Sequence, residues 1–168
     1  RVETIGRYLL IEDITKEHIE KRKNEFLATH HFVTELYNQS HFCKKASELV
    51  KSDRQTKYAV VCITINKLRV YNEIFGREMG DRILCTVANR LRGLKLDSKI
   101  VYGHYYSGHF DVCMPIADAC IEKLNSLNFS NSVTADDIAV DLYYGMVQIN
   151  DVEVDMRVNC ERAITAAN

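Results

Sequence analysis

From Tyr58 to Ile65 the chain reads Tyr-Ala-Val-Val-Cys-Ile-Thr-Ile, a nearly unbroken apolar, β-branched run. Such a run predicts a strand covered on both faces. Elsewhere the apolar spacing is helical. Ile83, Leu84, Val87, Leu91 and Leu94 predict a helix over Asp81–Leu94, with Gly93 near its end. Leu68–Phe75 reads as a short helix ended by Gly76, and Phe32–Val50 as a helix with a broken start. Ile100–Tyr102 and Phe110–Met114 predict two strands joined by a tight turn at Tyr106-Ser107-Gly108-His109, with Pro115 closing the second. Ala117–Leu127 is expected to be helix, Ile138–Ile149 strand and Asp155–Ala167 helix.

The N-terminal stretch differs. Tyr8-Leu9-Leu10-Ile11 reads as the end of a strand, followed by a highly charged segment to Thr29 that Asp13 or Thr15 could cap as a helix. Its apolar stripe, Ile14, Ile19, Phe26 and Leu27, is too thin to bury much surface alone. Such a helix is expected to pair with a partner helix or to link two domains. Mixed helices and strands with a hairpin among them predict an α/β (α+β) fold with antiparallel strands in the sheet.

Composition narrows the function. A chain of 168 residues, 46% hydrophobic and 27% charged, suits one domain with some extra length. Twenty-two basic residues balance 23 acidic ones, so no electrostatic footprint points to nucleic acid or to an anionic membrane. No apolar run is long enough to span a bilayer. The chain opens at Arg1 without a signal-peptide pattern and reads as a piece of a longer cytoplasmic protein. Six cysteines (Cys43, Cys62, Cys85, Cys113, Cys120 and Cys160) form no CxxC pair and are expected to be free thiols in a reducing compartment.

His30-His31-Phe32-Val33-Thr34-Glu35-Leu36-Tyr37-Asn38 resembles HDxLTGLYN, the opening motif of the GGDEF (diguanylate cyclase) family. Thr64 to Gly76 is similar to the family's DIDxFKxINDxxG, and Gly80-Asp81 to the GD that begins its next long helix. Tyr106-Ser107-Gly108-His109-Phe110 stands at the signature itself, with Pro115 at family spacing. Tyr143-Tyr144-Gly145 stands at SIG, and Cys160 to Asn168 resembles ADxALYxAK. The resemblance implies a central, mostly antiparallel sheet with helices packed around it, as in nucleotide-cyclase palms. Gly6 to Thr15 separately resembles the last strand of a PAS sensor domain with its DIT ending. The implied organisation is a PAS-like end over 1–15, a signalling helix or linker over 16–29, and a GGDEF domain with a degenerate signature over 30–168.

Members of this family condense two GTP into cyclic di-GMP across a dimer. That reaction calls for divalent metal on the triphosphates, and magnesium wants hard oxygen ligands. The resemblance assigns those ligands to the positions of Thr64 and Gly108, and the acid near the reacting hydroxyl to the position of His109. None is a carboxylate here, Asn66 replaces a further Asp, and the nearest acid is Asp111. The expected catalytic set and metal set are therefore both none. The family's guanine-reading Asn and Asp correspond to Asn72 and Asp81, with Arg69 at a phosphate-contacting position; helix capping is the alternative role for Asn72 and Asp81. The second basic residue is replaced by Asn168, and the product-feedback RxxD reads DSKI over 97–100.

Two further groupings are weaker. His18, His30, His31 and His41 lack the spacing of a closed metal site and read as surface histidines. Tyr102, Tyr105, Tyr106, Tyr143 and Tyr144 resemble a stacking platform, but without a basic surface they are expected in core and rim packing. The reading is a non-catalytic signalling domain, with GTP and Mg as candidate ligands and a homodimer formed through the signalling helix. Its other partners are PAS and EAL-type domains of the same longer chain. The alternatives are a residual diguanylate cyclase and a structural dimerisation module.

Overall fold

The computed structural model describes the backbone of residues 2–94, 99–129, 133–135 and 138–167. Its elements in chain order are α1 (Val2–Thr29), β1 (Tyr37–Asn38), α2 (Gln39–Ser52), β2 (Tyr58–Ile65), α3 (Leu68–Phe75) and α4 (Arg77–Gly93). There follow β3 (Val101–His104), β4 (His109–Pro115), α5 (Asp118–Phe129), β5 (Val133–Ala135), β6 (Ile138–Val140), β7 (Leu142–Gln148) and α6 (Met156–Ala167). Residue 168, and residues 97 and 98 of the DSKI stretch, lie outside the described residues.

Five strands form the main sheet in the order β1-β3-β4-β2-β7. All its pairings are antiparallel except β1 with β3. The apolar run therefore lies at the sheet's interior, between β4 and β7. Alternation along the strands builds two cores. Val61, Ile63 and Ile65 join Phe110, Val112 and Met114 against Ile83, Leu84, Val87 and Leu91 of α4. Val60, Cys62 and Cys113 face α2 and α6 instead, against Phe42, Ala46, Cys160 and Ala163. Gly145 of β7 lets α6 pack closely: a Cβ there would lie 2.0 Å from the Ala163 carbonyl oxygen. The six cysteines are free, and all but Cys85 are buried.

Several boundaries differ from the sequence expectation. Tyr8–Ile11 is helix, continuous with the charged segment through Thr29. A short apolar run does not distinguish strand from helix by periodicity, and Glu17 with Lys21 adds i,i+4 support downstream. The helix expected from Phe32 begins at Gln39, where the Asn38 side chain accepts a hydrogen bond from the His41 N–H at 3.0 Å. Glu35, left-handed at φ 55°, turns the chain just before it. The strand expected over Ile138–Ile149 divides into β6 and β7; at the division the Asn66 N–H donates to the Asp141 carbonyl at 2.9 Å.

α1 meets the domain at its C-terminal end. The His30 ring stacks on Phe26 at 4.3 Å and Asn38 Nδ2 donates to the Ala28 carbonyl at 3.0 Å. From Lys16 to Leu27 every α1 residue is exposed. Among the described residues no helix is long and apolar enough to cross a membrane.

Candidate functional site: the β3–β4 hairpin and the α3–α4 cleft

The β3–β4 turn is held from three sides. Within it, the Tyr105 N–H donates to the His109 carbonyl at 2.8 Å, the His109 N–H donates to the Tyr106 carbonyl at 3.0 Å, and Ser107 is left-handed at φ 50°. From β2, the Ile65 N–H donates to the Gly108 carbonyl at 2.9 Å. From below comes His104, only 1% exposed. Its Nε2 lies 2.8 Å from the Ser107 carbonyl oxygen and its Nδ1 3.2 Å from Thr34 Oγ1. A carbonyl only accepts, so Nε2 carries the proton and Nδ1 accepts from the threonine hydroxyl. Burial pushes the His104 pKa down to about 4, which keeps this neutral tautomer in place at pH 7. Phe110 stacks on one side of His104 at 4.4 Å, and the His31 ring lies at 4.0 Å.

Thr64, near the end of the apolar run of β2, lies directly opposite His109 of β4. Their side chains hydrogen-bond, Oγ1 to Nδ1, at 3.0 Å. Burial holds the His109 pKa below its ordinary value. On the other side of β2, Thr64 pairs with Tyr143, whose phenol oxygen accepts from Asn66 Nδ2 at 3.2 Å. Gly108 has little room for a side chain: a Cβ there would lie 3.0 Å from the Ile65 Cβ and 3.3 Å from Leu68 Cδ2. Thr64, Gly108 and His109 thus provide one engaged hydroxyl, no side chain and one imidazole. That set does not fit magnesium, which needs several hard oxygens, usually with carboxylates among them.

Asp111 does not take their place. It pairs with Cys62 two residues further along β4, is 1% exposed, and leaves Oδ1 without a hydrogen-bond partner among the described residues. Burial raises its pKa to about 7, against weaker opposing hydrogen bonds from Cys160 and Cys62. An acid between Phe110 and Val112 in a buried strand is the sequence signal for this site. His104 and Thr34 give no comparable signal.

Leu68 connects the hairpin to the second half of the site, because Asn72 lies one turn further along the same face of α3. Asn72 rests on Gly80 of α4: a Cβ on Gly80 would lie 1.8 Å from Asn72 Oδ1. Asp81 follows Gly80, half-buried, and its charge partly offsets the burial-driven lowering of the His31 pKa. The capping alternative fails for Asp81. α4 starts at Arg77, its N-cap is Gly76 at φ 83°, and no side chain caps it. Asp81 therefore sits in the second turn of α4. At the end of α3 it is the Asn72 backbone carbonyl, not its amide side chain, that accepts from the Gly76 N–H. Arg69 points along α3 to an exposed ion pair with Glu73 at 2.9 Å.

Residues 28–167 match the family model described as "Diguanylate cyclase, GGDEF domain". The chain belongs to the GGDEF family. The chain is 26% identical over 136 residues to the probable diguanylate cyclase DgcE of Escherichia coli (strain K12). It is 23% identical over 96 residues to the signalling protein YkoW of Bacillus subtilis (strain 168). These matches cover 74% and 56% of this chain but only 12% of either relative. Among solved structures, the coiled coil and GGDEF domain of DgcB from Caulobacter crescentus, in complex with c-di-GMP, aligns at TM-score 0.73 and 17% identity. That alignment covers 97% of this chain and 90% of the other. The FimX GGDEF domain from Pseudomonas aeruginosa aligns at TM-score 0.68 and 16% identity, over 83% of this chain and 93% of the other. The fold is thus the GGDEF type, with a mixed, mainly antiparallel five-stranded sheet and helices around it.

Proposed function

We propose that this is a non-catalytic GGDEF signalling domain that takes up a guanine nucleotide without turning it over. The observation that carries the reading is the Thr64–His109 hydrogen bond at the positions where the family places acids. Removing one well-placed electrostatic group from an active site costs about 10²–10³ in rate. The neutral His109 ring could accept a proton, but with Thr64 and Gly108 at the ligand positions no anionic ligands remain to hold the metal. The guanine-reading pair fares better. Asn72 rests against Gly80, the residue that precedes Asp81 in α4, and Asp81 is not engaged as a cap. An amide and a carboxylate can together match the donors and acceptors of a guanine edge.

In this reading α1 is the output or input lever. Its exposed Ile19, Phe26 and Leu27 would be covered by the same helix of a second copy. The similarity of nearly the whole chain to a coiled coil joined to a GGDEF domain supports that arrangement. The longer cytoplasmic protein is proposed to carry a PAS-like sensor whose end, over 1–15, is helical from Val2 and continuous with the signalling segment of α1, and an EAL-type module after the domain. Nucleotide occupancy would bias the latter.

Calorimetry with GTP and ATP, with and without magnesium, tests the binding half of the proposal. GTP is expected to bind weakly and ATP hardly at all. Asp81→Ala is expected to weaken GTP about 5- to 150-fold, the effect of losing one acceptor from a desolvated site. Equal isotherms for GTP and ATP would remove guanine reading from the account.

A further inference from the structure

Thiols from two helices and a carboxylate from the sheet meet in the second core. Cys43 lies on the buried face of α2 with Phe42, Ala46 and Val50, and Cys160 on the buried face of α6 with Met156, Asn159 and Ala163. Both residues share that core with Cys62 of β2 and Cys113 of β4. The Cys43 and Cys160 thiols are hydrogen-bond partners across the contact between the two helices. Asp111, the direct cross-strand partner of Cys62, takes hydrogen bonds from the Cys160 and Cys62 thiols. A thiol has one proton and is a weak donor, so Asp111 keeps acceptor capacity, and its Oδ1 has no partner among the described residues.

The two helix cysteines are not equivalent. Burial pushes the thiols of Cys62, Cys85 and Cys113 up. Cys43 moves down instead, chiefly because Cys160 hydrogen-bonds to it, with help from Arg157 and against burial, Asp111 and Asp155. Cys160 moves up, first through that same bond and then through burial. Cys43 is 7% exposed and Cys160 1%, so Cys43 is the one nearer solvent. The thiolate is the nucleophile, which makes Cys43 the attacking sulfur and Cys160 the sulfur that follows.

We propose that Cys43 and Cys160 form a reversible dithiol–disulfide couple, closed by peroxide, that ties α2 to α6, with Asp111 as the proton acceptor for Cys160. The Cys43 thiolate attacks the peroxide O–O bond and becomes a sulfenic acid, and the hydroxide released takes up the Cys43 proton as water. Cys160 then attacks the Cys43 sulfur while its proton passes to Asp111. The S–S bond forms, the S–O bond breaks, and the departing hydroxide takes the proton back from Asp111 as a second water. Two thiols are oxidised and one peroxide is reduced to two waters. An acceptor with a pKa of about 7 suits that transfer near neutral pH. The inference does not depend on nucleotide binding.

The test treats the folded full chain with hydrogen peroxide near neutral pH, alkylates the remaining thiols, and maps the peptides by mass spectrometry. The expected product is a Cys43–Cys160 linked peptide, two hydrogens lighter than the separate peptides and released by dithiothreitol, with Cys62 and Cys113 still free. Cys160→Ala is expected to stop at a Cys43 sulfenic acid that dimedone traps. Asp111→Asn is expected to slow closure at least about 10²-fold, the usual worth of a positioned proton acceptor, while the sulfenic acid still forms. Oxidation of the folded chain that leaves Cys43 and Cys160 unlinked would overturn the proposal, and so would linkage that forms only in urea. Closure by Asp111→Asn at the unmodified rate would overturn the role of the carboxylate.

Discussion

Thr64 Oγ1 and His109 Nδ1 lie 3.0 Å apart, joining the turn-proximal ends of two paired strands. In the proposed reading this bond replaces, with an uncharged pair, acids that the family resemblance assigns to these positions. Thr64→Asp would place an anion beside the imidazole. An opposite charge favours the protonated ring, so the His109 pKa, now lowered by burial, is expected to rise. The gained stability would be present at low pH and lost as pH rises through the new folded value. NMR titration of His109 in the variant and the unmodified chain measures the shift directly.

Gly80 separates folding from recognition. A Cβ there would meet the end of the Asn72 side chain, which can rotate away, rather than backbone. Ala also favours a helix over Gly by about 1 kcal/mol. Gly80→Ala is therefore expected to keep or slightly raise thermal stability while abolishing the preference for GTP over ATP. Melting curves and paired calorimetry on one preparation check both halves.

Asp111 sets a pH dependence of its own. Its folded pKa, about 7, stands above the ordinary carboxylate range because burial disfavours the charge. The folded state then binds the proton more tightly than the unfolded state. The contribution of Asp111 to stability is greatest below the unfolded value, near pH 4, and falls as pH rises toward about 7. Asp111→Asn removes that loss. It is expected to stabilise the domain by about 2 kcal/mol at about pH 8 and by little at about pH 4. The gain stays below the full titration penalty because an amide in that place keeps a polar group short of partners. His104 tilts the other way: its lowered pKa of about 4 costs stability as pH falls below the ordinary histidine range. Urea titrations at several pH values resolve the Asp111 contribution by difference.

The main elements are legible where one physical signal dominates. Tyr58–Ile65 is β2 to the residue, because a β-branched apolar run has few alternatives in a covered sheet. Leu68–Phe75 is α3, with Gly76 ending it at φ 83°. That same glycine hides the start of α4. Arg77 to Gly80 carry no capping residue or apolar spacing to announce a helix, so the expectation begins at Asp81. Tyr8–Ile11 is helix rather than the expected strand, because four consecutive apolar residues carry no period. The positions of Thr64, His109, Asn72 and Asp81 come from the family resemblance, and cross-strand register and helix packing then supply their relations. His104 is not visible in the sequence at all. A single buried histidine between strand residues looks like any other until its two nitrogens find Thr34 and Ser107.

The most direct test of the account is product formation. The purified chain is incubated with GTP and magnesium, and separately with manganese, and cyclic di-GMP is resolved by chromatography. The expected result is no product above background. Combined Thr64→Asp, Gly108→Asp and His109→Glu restores the acids, although a Cβ in place of the Gly108 hydrogen, 3.0 Å from the Ile65 Cβ and 3.3 Å from Leu68 Cδ2, obliges those side chains to give way slightly. Cyclic di-GMP made by the unmodified chain, and abolished by His109→Ala, would contradict the account and make this domain an enzyme.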